Sequence, residues 1–221
     1  MSLCPLNDGI SRVELLDVFG DDLTVVNAAR VSYAKESAEM CDVDERLIRY
    51  LASHGHWTPF AQPQLRFRLK MPIFVAREWY RHTVGFTRNE VSRRYVDSAP
   101  ECYAPDDWRL RPKDGRKQGS EDEVHRLSKS YSRQVWEVFS TLSGIYGDMV
   151  REGVAPEMAR MILPQSMYTE FIETGSLAAY ARLCDQRTAP DAQQETRLYA
   201  EAVAALIEPH FPVAWKELMG A

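Results

Sequence analysis

The chain has 221 residues, 45% of them hydrophobic and 27% charged. That composition excludes a disordered or fibrous architecture and fits a single domain spanning 1–221. Lys and Arg number 27 against 32 Asp and Glu, a formal net charge of −5, so the surface as a whole does not court a polyanion and any basic site is local.

The start, MSLCPLNDGISRVELLD, has neither a basic n-region nor an apolar h-region, and no apolar run approaches the ~20 residues that cross a bilayer. A cytoplasmic protein with no membrane partner is expected. Cys4, Cys41, Cys102 and Cys184 are far apart, with no C-x-x-C pair and no His/Cys cluster at metal-ligand spacing; they read as reduced thiols, and no metal is expected.

In chain order, Val13, Leu15 and Val18 alternate imperfectly with polar neighbours, which predicts an edge strand over 12–18. Asp21 or Asp22 then caps a helix through Val25, Val26 and Ala29. A second helix starts near Asp42 or Asp44, carries Leu47, Ile48 and Leu51, and stops at Ser53-His54-Gly55. Leu65, Phe67, Leu69 and Met71 alternate strictly with Gln64, Arg66, Arg68 and Lys70, which predicts a strand with one buried and one basic face. The basic face reads as solvated, with an electrostatic guide for anions as the functional alternative.

Pro72 fits the first position of a helix running to about His82. Residues 96–120, rich in Pro, Asp and Gly, predict a long loop or lid. Val124, Leu127, Tyr131, Val135, Val138, Leu142, Ile145 and Met149 recur in steps of three and four, so the strongest helix lies there and is expected to form the spine of the core. A short helix runs from Pro156 to Leu163, and two Ala- and Leu-rich helices are predicted over Thr169–Gln186 and Asp191–Pro209, the latter capped by Asp191. Four to five helices and at least two strands, strands early and helices late, give an α+β fold: a small antiparallel sheet packed against several helices with one long central helix.

The segment Arg81-His-Thr-Val-Gly-Phe-Thr-Arg-Asn-Glu-Val-Ser-Arg-Arg-Tyr95 departs from ordinary surface composition. It holds Arg81, Arg88, Arg93 and Arg94 against one acid, Glu90. Four guanidinium forks beside Thr87, Asn89 and Ser92 suit a phosphate; a solvated turn paired with acids elsewhere is the bland alternative. Spacing separates the two. Arg81-His82, Asn89-Glu90, Ser92 and Arg94-Tyr95 occur in the order of the signature of the flavin-dependent thymidylate synthases, in which Arg-His-Arg precedes Ser by seven residues. Asn27-Ala-Ala-Arg-Val-Ser-Tyr33, His54-Gly-His-Trp-Thr-Pro-Phe60, Pro72-Ile-Phe-Val-Ala-Arg77, Ala159-Arg-Met-Ile-Leu-Pro164, Tyr168-Thr169, Arg187 and Ala192-Gln193 extend the resemblance from about residue 12 to residue 200. Two departures stand out. Thr83 replaces the second arginine of Arg-His-Arg and one extra residue precedes Ser92, an insertion that Gly85 can absorb in a tight turn. Glu78 and Asp191 stand where the family often carries Gln and His.

The resemblance implies conversion of deoxyuridylate (dUMP) to thymidylate, with methylenetetrahydrofolate as one-carbon donor and NADPH as reductant through bound FAD, in a homotetramer whose subunits share active sites. The absence of G-x-G-x-x-G agrees with a flavin held outside a Rossmann fold. The resemblance assigns dUMP to Glu78, Glu90, Ser92, Arg93, Arg94, Arg160 and Arg187. It assigns FAD to Ser32, His56, Thr58, Arg81, His82, Thr83, Asn89 and Glu90. Arg187, Ser92 and His56 are expected nearest the chemistry, Ser92 as a positioning donor, since arginines surround it and no base adjoins it in sequence. Glu78 sits at i+3 and i+4 from Arg81 and His82 and is free to pair with one of them instead. Trp57, between His56 and Thr58, is a candidate for stacking on flavin or folate.

Two other readings compete. A cysteine-dependent thymidylate synthase needs a cysteine beside the arginines, and none is near in sequence. A single-stranded nucleic-acid module using the basic 66–95 stretch, with Phe86 and Tyr95 stacking on bases, conflicts with the net acidity.

Overall fold

The computed structural model describes residues 2–113, 115 and 118–220. Five antiparallel strands form one sheet in the order β1-β2-β3-β5-β4: β1 (Ser2–Leu3), β2 (Arg12–Phe19), β3 (Gln64–Pro72), β4 (Phe86–Glu90) and β5 (Tyr168–Ser176). Eight α-helices accompany it among the described residues: α1 (Asp22–Arg30), α2 (Asp42–Ser53), α3 (Ile73–Trp79), α4 (Ser128–Arg151), α5 (Pro156–Ala159), α6 (Leu177–Arg187), α7 (Gln194–Ile207) and α8 (Ala214–Met219). The architecture is α+β, as the sequence predicts.

Strand β3 is the centre of the sheet, and Leu65, Phe67, Leu69 and Met71 are buried as their alternation requires. They join Val25, Ile48, Trp79, Tyr180, Val203 and Trp215 in one hydrophobic cluster beneath the helices. The opposite face is basic but not free: Arg66 lies 3.8 Å from Asp17, Arg68 3.8 Å from Glu14 and 3.6 Å from Glu170, and Lys70 2.5 Å from Glu101. Strand β2, predicted at the edge, is paired on its outer side to the two residues of β1.

The capping residues divide their work. Asp21 caps α1, accepting from Thr24 N at 2.9 Å while Asp21 N donates to Thr24 Oγ1 at 3.1 Å. Asp22 instead accepts from Val213 N and Ala214 N, at 2.8 and 2.9 Å, at the start of α8. Asp44 does not cap α2 but is buried and accepts from Arg30 Nε at 2.9 Å.

Several expectations are corrected. Residues 169–186 are not one helix: β5 occupies 168–176, and α6 begins at Leu177 with Ser176 as cap, its hydroxyl accepting from Ala179 N at 3.2 Å. The final Ala- and Leu-rich helix starts at Gln194 rather than Asp191, which caps nothing. Helix α3 stops at Trp79, so Pro72 closes β3 and Arg81 and His82 lie beyond the helix. Strands also fall late in the chain, since β5 follows the longest helix.

The largest correction concerns α4. It begins at Ser128 and not Val124, and it is no spine: only Ser128 and Tyr146 are buried, whereas Leu127, Tyr131, Trp136, Val138 and Ile145 are exposed. Much of its apolar stripe is therefore exposed in the single chain, while Val135, Leu142 and Met149 are half-buried.

The long loop is tied down at several points. Tyr168 N donates to Glu101 O and Tyr103 N to Ser166 O, both at 2.8 Å, and Trp108 Nε1 donates to Ser132 Oγ at 3.0 Å. Positions 114, 116 and 117 of the predicted lid lie outside the described residues.

Candidate functional site

Most of the residues singled out in the sequence line three separate hollows on one chain; His82, Thr83, Asn89 and Arg94 lie outside their linings. The first, about 710 Å³, is walled by Arg77, Glu78, Arg81, Arg109, Arg187 and Gln193. Arg187, at the end of α6, makes three contacts in it. Its Nε donates to His82 Nε2 at 2.9 Å, its Nη2 to the Glu78 carbonyl at 3.2 Å, and its Nη1 lies 3.5 Å from Glu78 Oε2. Thr196 Oγ1 donates to the same carboxylate at 3.3 Å. Glu78 therefore pairs with Arg187, across 109 residues, and not with Arg81 or His82 as helical spacing allowed.

Accepting through Nε2 makes His82 a neutral imidazole with its proton on Nδ1. Burial first, then the positive charges of Arg187, Arg88 and Arg182, push its pKa down to about 4. Arg77 and Arg81, exposed on the same hollow, have no acid partner among the described residues. Arg109 is held by Glu195 at 2.7 Å and by Ser120 at 2.7 Å.

The second hollow, about 640 Å³, is lined by Glu90, Ser92, Arg93, Arg160, Tyr168 and Thr169 among others. Glu90 closes β4, and Thr169 Oγ1 donates to it at 2.5 Å. Beyond the strand the chain turns, with Tyr95 N donating to Ser92 O at 3.0 Å and Arg94 N to Ser92 Oγ at 3.3 Å. The Ser92 hydroxyl thus accepts from the backbone and keeps its own proton to donate; no base among the described residues is bonded to it, so the geometry fits a positioning donor. Arg93 donates to the Ser98 carbonyl. Arg94 lies outside this hollow, 3.5 Å from Glu157 on an open surface.

The third hollow, about 740 Å³, holds Ser32, His56 and Thr58 together with Tyr33, Tyr50 and Trp57. Trp57 is 60% exposed, so its face is available for stacking. Asn89 is exposed on β4, and Thr83 is exposed in the turn that follows α3. In that turn Gly85 has φ +83°, and a Cβ there would meet Ala179 Cβ at 2.9 Å. Glycine is the residue that fits there.

Comparisons with known proteins decide the family. Residues 14–213 match the family described as "Thymidylate synthase complementing protein". A flavin-dependent thymidylate synthase of Thermus thermophilus is 40% identical over 203 residues, covering 92% of this chain and 73% of that protein. That of Thermosipho africanus is 35% identical over 207 residues, covering 94% and 89%. This chain belongs to the flavin-dependent thymidylate synthase family. A crystal structure of the UMP/dUMP methylase PolB from Streptomyces cacaoi, bound with 5-Br dUMP, superposes with a TM-score of 0.83 at 29% identity, covering 94% of each chain.

For a flavin-dependent thymidylate synthase fold the cysteines are informative. Cys102, remote from the arginines in sequence, comes within electrostatic reach of Arg93, yet burial pushes its thiol upward more than Arg93 pulls it down, the reverse of an activated nucleophile. Cys184 is buried and its thiol is likewise raised by burial. The structure adds residues that sequence reasoning passed over. Arg77, Arg109 and Gln193 share the Arg187 hollow, and Tyr33 and Tyr50 share the Trp57 hollow. Arg77, Tyr33 and Gln193 end motifs already quoted; Arg109, inside the long loop, carries no local signal.

Proposed function

We propose that the protein methylates dUMP to thymidylate, taking the one-carbon unit from 5,10-methylenetetrahydrofolate and reducing equivalents from NADPH through bound FAD, without an enzyme cysteine nucleophile. Family membership supports the reaction class. The observation that carries the reading to this chain is the placement of Arg187, fixed by His82 and Glu78, in a hollow with two further arginines, Arg77 and Arg81, that have no acid partner among the described residues.

The chemistry needs uracil C5 made electron-rich, and charge accumulating on the ring is stabilised by cations already in position. Arg187 is such a cation, and it stays charged throughout. Neutral His82 keeps it oriented without adding a competing positive charge. Glu90, Ser92, Arg93 and Arg160 hold the nucleotide, with Ser92 donating and the arginines neutralising phosphate. Arg94, on its separate surface, completes this set only if the surface belongs to the assembled site.

The residues fit a flavin. Ser32, Thr58, Arg81 and Asn89 are exposed donors, Trp57 and Tyr33 are exposed aromatic faces, and the hollow of about 740 Å³ lies within the range of ligand sites, ~300–1,000 Å³. When bound, FAD supplies the redox chemistry that links NADPH to the transferred carbon. The protein's part there is to orient it through His56, His82, Thr83 and Glu90 and to exclude water.

Three hollows on one chain and an apolar stripe on α4, much of it exposed, support a homotetramer in which the sites are completed between subunits. We place the protein in the cytoplasm with no nucleic-acid partner. The test is a visible spectrum of purified protein with and without added FAD, followed by NADPH oxidation with dUMP, and with UMP because the structural relative is described as acting on both. A yellow protein whose NADPH oxidation rises with nucleotide is expected; a colourless protein that FAD does not reconstitute refutes the reading.

A further inference from the structure

Strand β4 lies at the edge of the sheet, bonded to β5 alone, from Phe86 opposite Gly175 to Glu90 opposite Phe171. An edge strand is held on one side and opens more readily than a central one. Yet this strand carries Asn89 and Glu90 and leads directly to Ser92. Something beyond its backbone ladder has to fix it.

Directly opposite Glu173 in the register stands Arg88. Glu173 is wholly buried, and its carboxylate accepts from Arg88 Nε and from Trp79 Nε1, the latter at 3.2 and 3.3 Å to its two oxygens. Trp79 is wholly buried too and is the last residue of α3, two positions before Arg81. The Arg88 guanidinium also lies over the Phe86 and Tyr80 rings, 4.8 and 5.4 Å from their centroids. One carboxylate therefore joins the end of α3 to the middle of β4, spanning the Thr83–Gly85 turn that contains the extra residue.

Stability does not explain this pair. Desolvating two charges costs about as much as their attraction returns, and well-packed apolar residues often replace such a pair at no loss. Arg88 Nη2 is moreover buried with no hydrogen-bond partner among the described residues, a further cost. What the arrangement supplies is direction: a planar fork and an indole N–H converging on one carboxylate fix both position and angle.

We infer that Arg88, Glu173 and Trp79 form a positioning clamp that holds Arg81 and His82, beyond α3, in register with Asn89, Glu90 and Ser92, beyond the turn. The clamp sets the spacing of the two halves of the signature independently of the lengthened turn between them. What those halves bind rests on the function proposed above; the clamp itself does not.

The test compares wild type with Arg88→Met/Glu173→Leu, an apolar pair of similar volume, and with Trp79→Phe, which removes the indole N–H together with part of the buried ring and leaves the Arg88–Glu173 pair in place. Three quantities are read: thermal midpoint, affinities for dUMP and FAD, and amide hydrogen exchange over residues 86–91. The expected double variant melts within a few degrees of wild type, binds dUMP and FAD more weakly by roughly 10–100-fold, the scale on which small misplacements act, and loses exchange protection in β4. Arg88→Lys, which keeps the charge but not the fork, is expected to fall between. Should the double variant fail to fold, Trp79→Phe carries the same readouts. Unchanged exchange over 86–91 in a folded variant overturns the clamp, as do wild-type affinities for both ligands. Wild-type protein that binds neither ligand refutes the functional reading instead, and the exchange result still decides the clamp.

Discussion

Replacing Arg187 by alanine is expected to weaken dUMP binding by roughly 10–150-fold, because a hydrogen bond to a charged group contributes ~1.5–3 kcal/mol and 1.4 kcal/mol is tenfold in affinity. The structure says why the full amount is at stake. The guanidinium is held in advance by His82 at 2.9 Å and by Glu78 through its carbonyl at 3.2 Å, so binding does not have to order it. The structure also says why folding survives. The Arg187–Glu78 ion pair spans 3.5 Å with side chains 20% and 34% exposed, a weak contact of about 0–1 kcal/mol; the hydrogen bonds to His82 and the Glu78 carbonyl add about 0.5–1.5 kcal/mol each, so in a chain of this size the midpoint is expected to fall by roughly 2–16 °C. Arg187→Lys keeps the charge without the fork and is expected to bind with intermediate affinity. Calorimetric titration with dUMP at fixed ionic strength measures all three proteins. A folded Arg187→Ala variant with unchanged dUMP affinity refutes the assignment.

Gly85→Ala introduces a side chain at φ +83°, 2.9 Å from Ala179 Cβ and 3.1 Å from Ser176 Oγ; a loss of about 1–2 kcal/mol or more, and a midpoint lower by roughly 2–8 °C, is expected by calorimetry, and an unchanged midpoint contradicts the turn. His82 has a depressed pKa, so the unfolded chain takes up its proton first: its contribution to stability is complete above the ordinary imidazole value of 6.5 and is lost as pH falls toward about 4. Denaturant titrations across that window should show a shallower pH dependence for His82→Asn, and an identical slope counts against the Arg187 contact. Trp57→Ala removes an exposed aromatic face from the Ser32–His56–Thr58 hollow and should weaken FAD binding by roughly 2–10-fold in a fluorescence titration; equal affinity removes Trp57 from the flavin site.

What the sequence shows and what it conceals follow from the range of each interaction. Strand β3 is legible because Leu65, Phe67, Leu69 and Met71 point one way and charged residues the other, a purely local pattern. Strand β5 is not, because its inward positions include Glu173 and Thr169 while Ile172 points outward; the alternation is inverted by an acid whose partner, Arg88, is 85 residues away. Helix α4 is legible as a helix, but periodicity reports that a face is apolar and not what covers it. Within the site, the density of arginines between 81 and 95 is a local signal and stands out in the sequence. The Glu78–Arg187 contact belongs to the tertiary fold, and helical spacing points Glu78 to nearer partners that it does not take.

The partners of the basic residues also separate the two functional readings that composition left open. A surface that binds single-stranded nucleic acid needs a row of uncommitted cations along the backbone path, with aromatic faces between them. In the 66–95 stretch that row does not exist. Arg66, Arg68 and Lys70 on β3 each face a carboxylate, Arg88 is spent inside the core on Glu173, Phe86 packs edge-on against buried Tyr180 at 5.0 Å, and Arg94 is paired with Glu157. The two cations of the stretch that keep neither an acid nor a carbonyl partner among the described residues, Arg77 and Arg81, face the same hollow as Arg187. Four arginines against the carboxylates of Glu78 and Asp191 at one concave point, in a chain of net charge −5, concentrate attraction for a compact anion more than for an extended one.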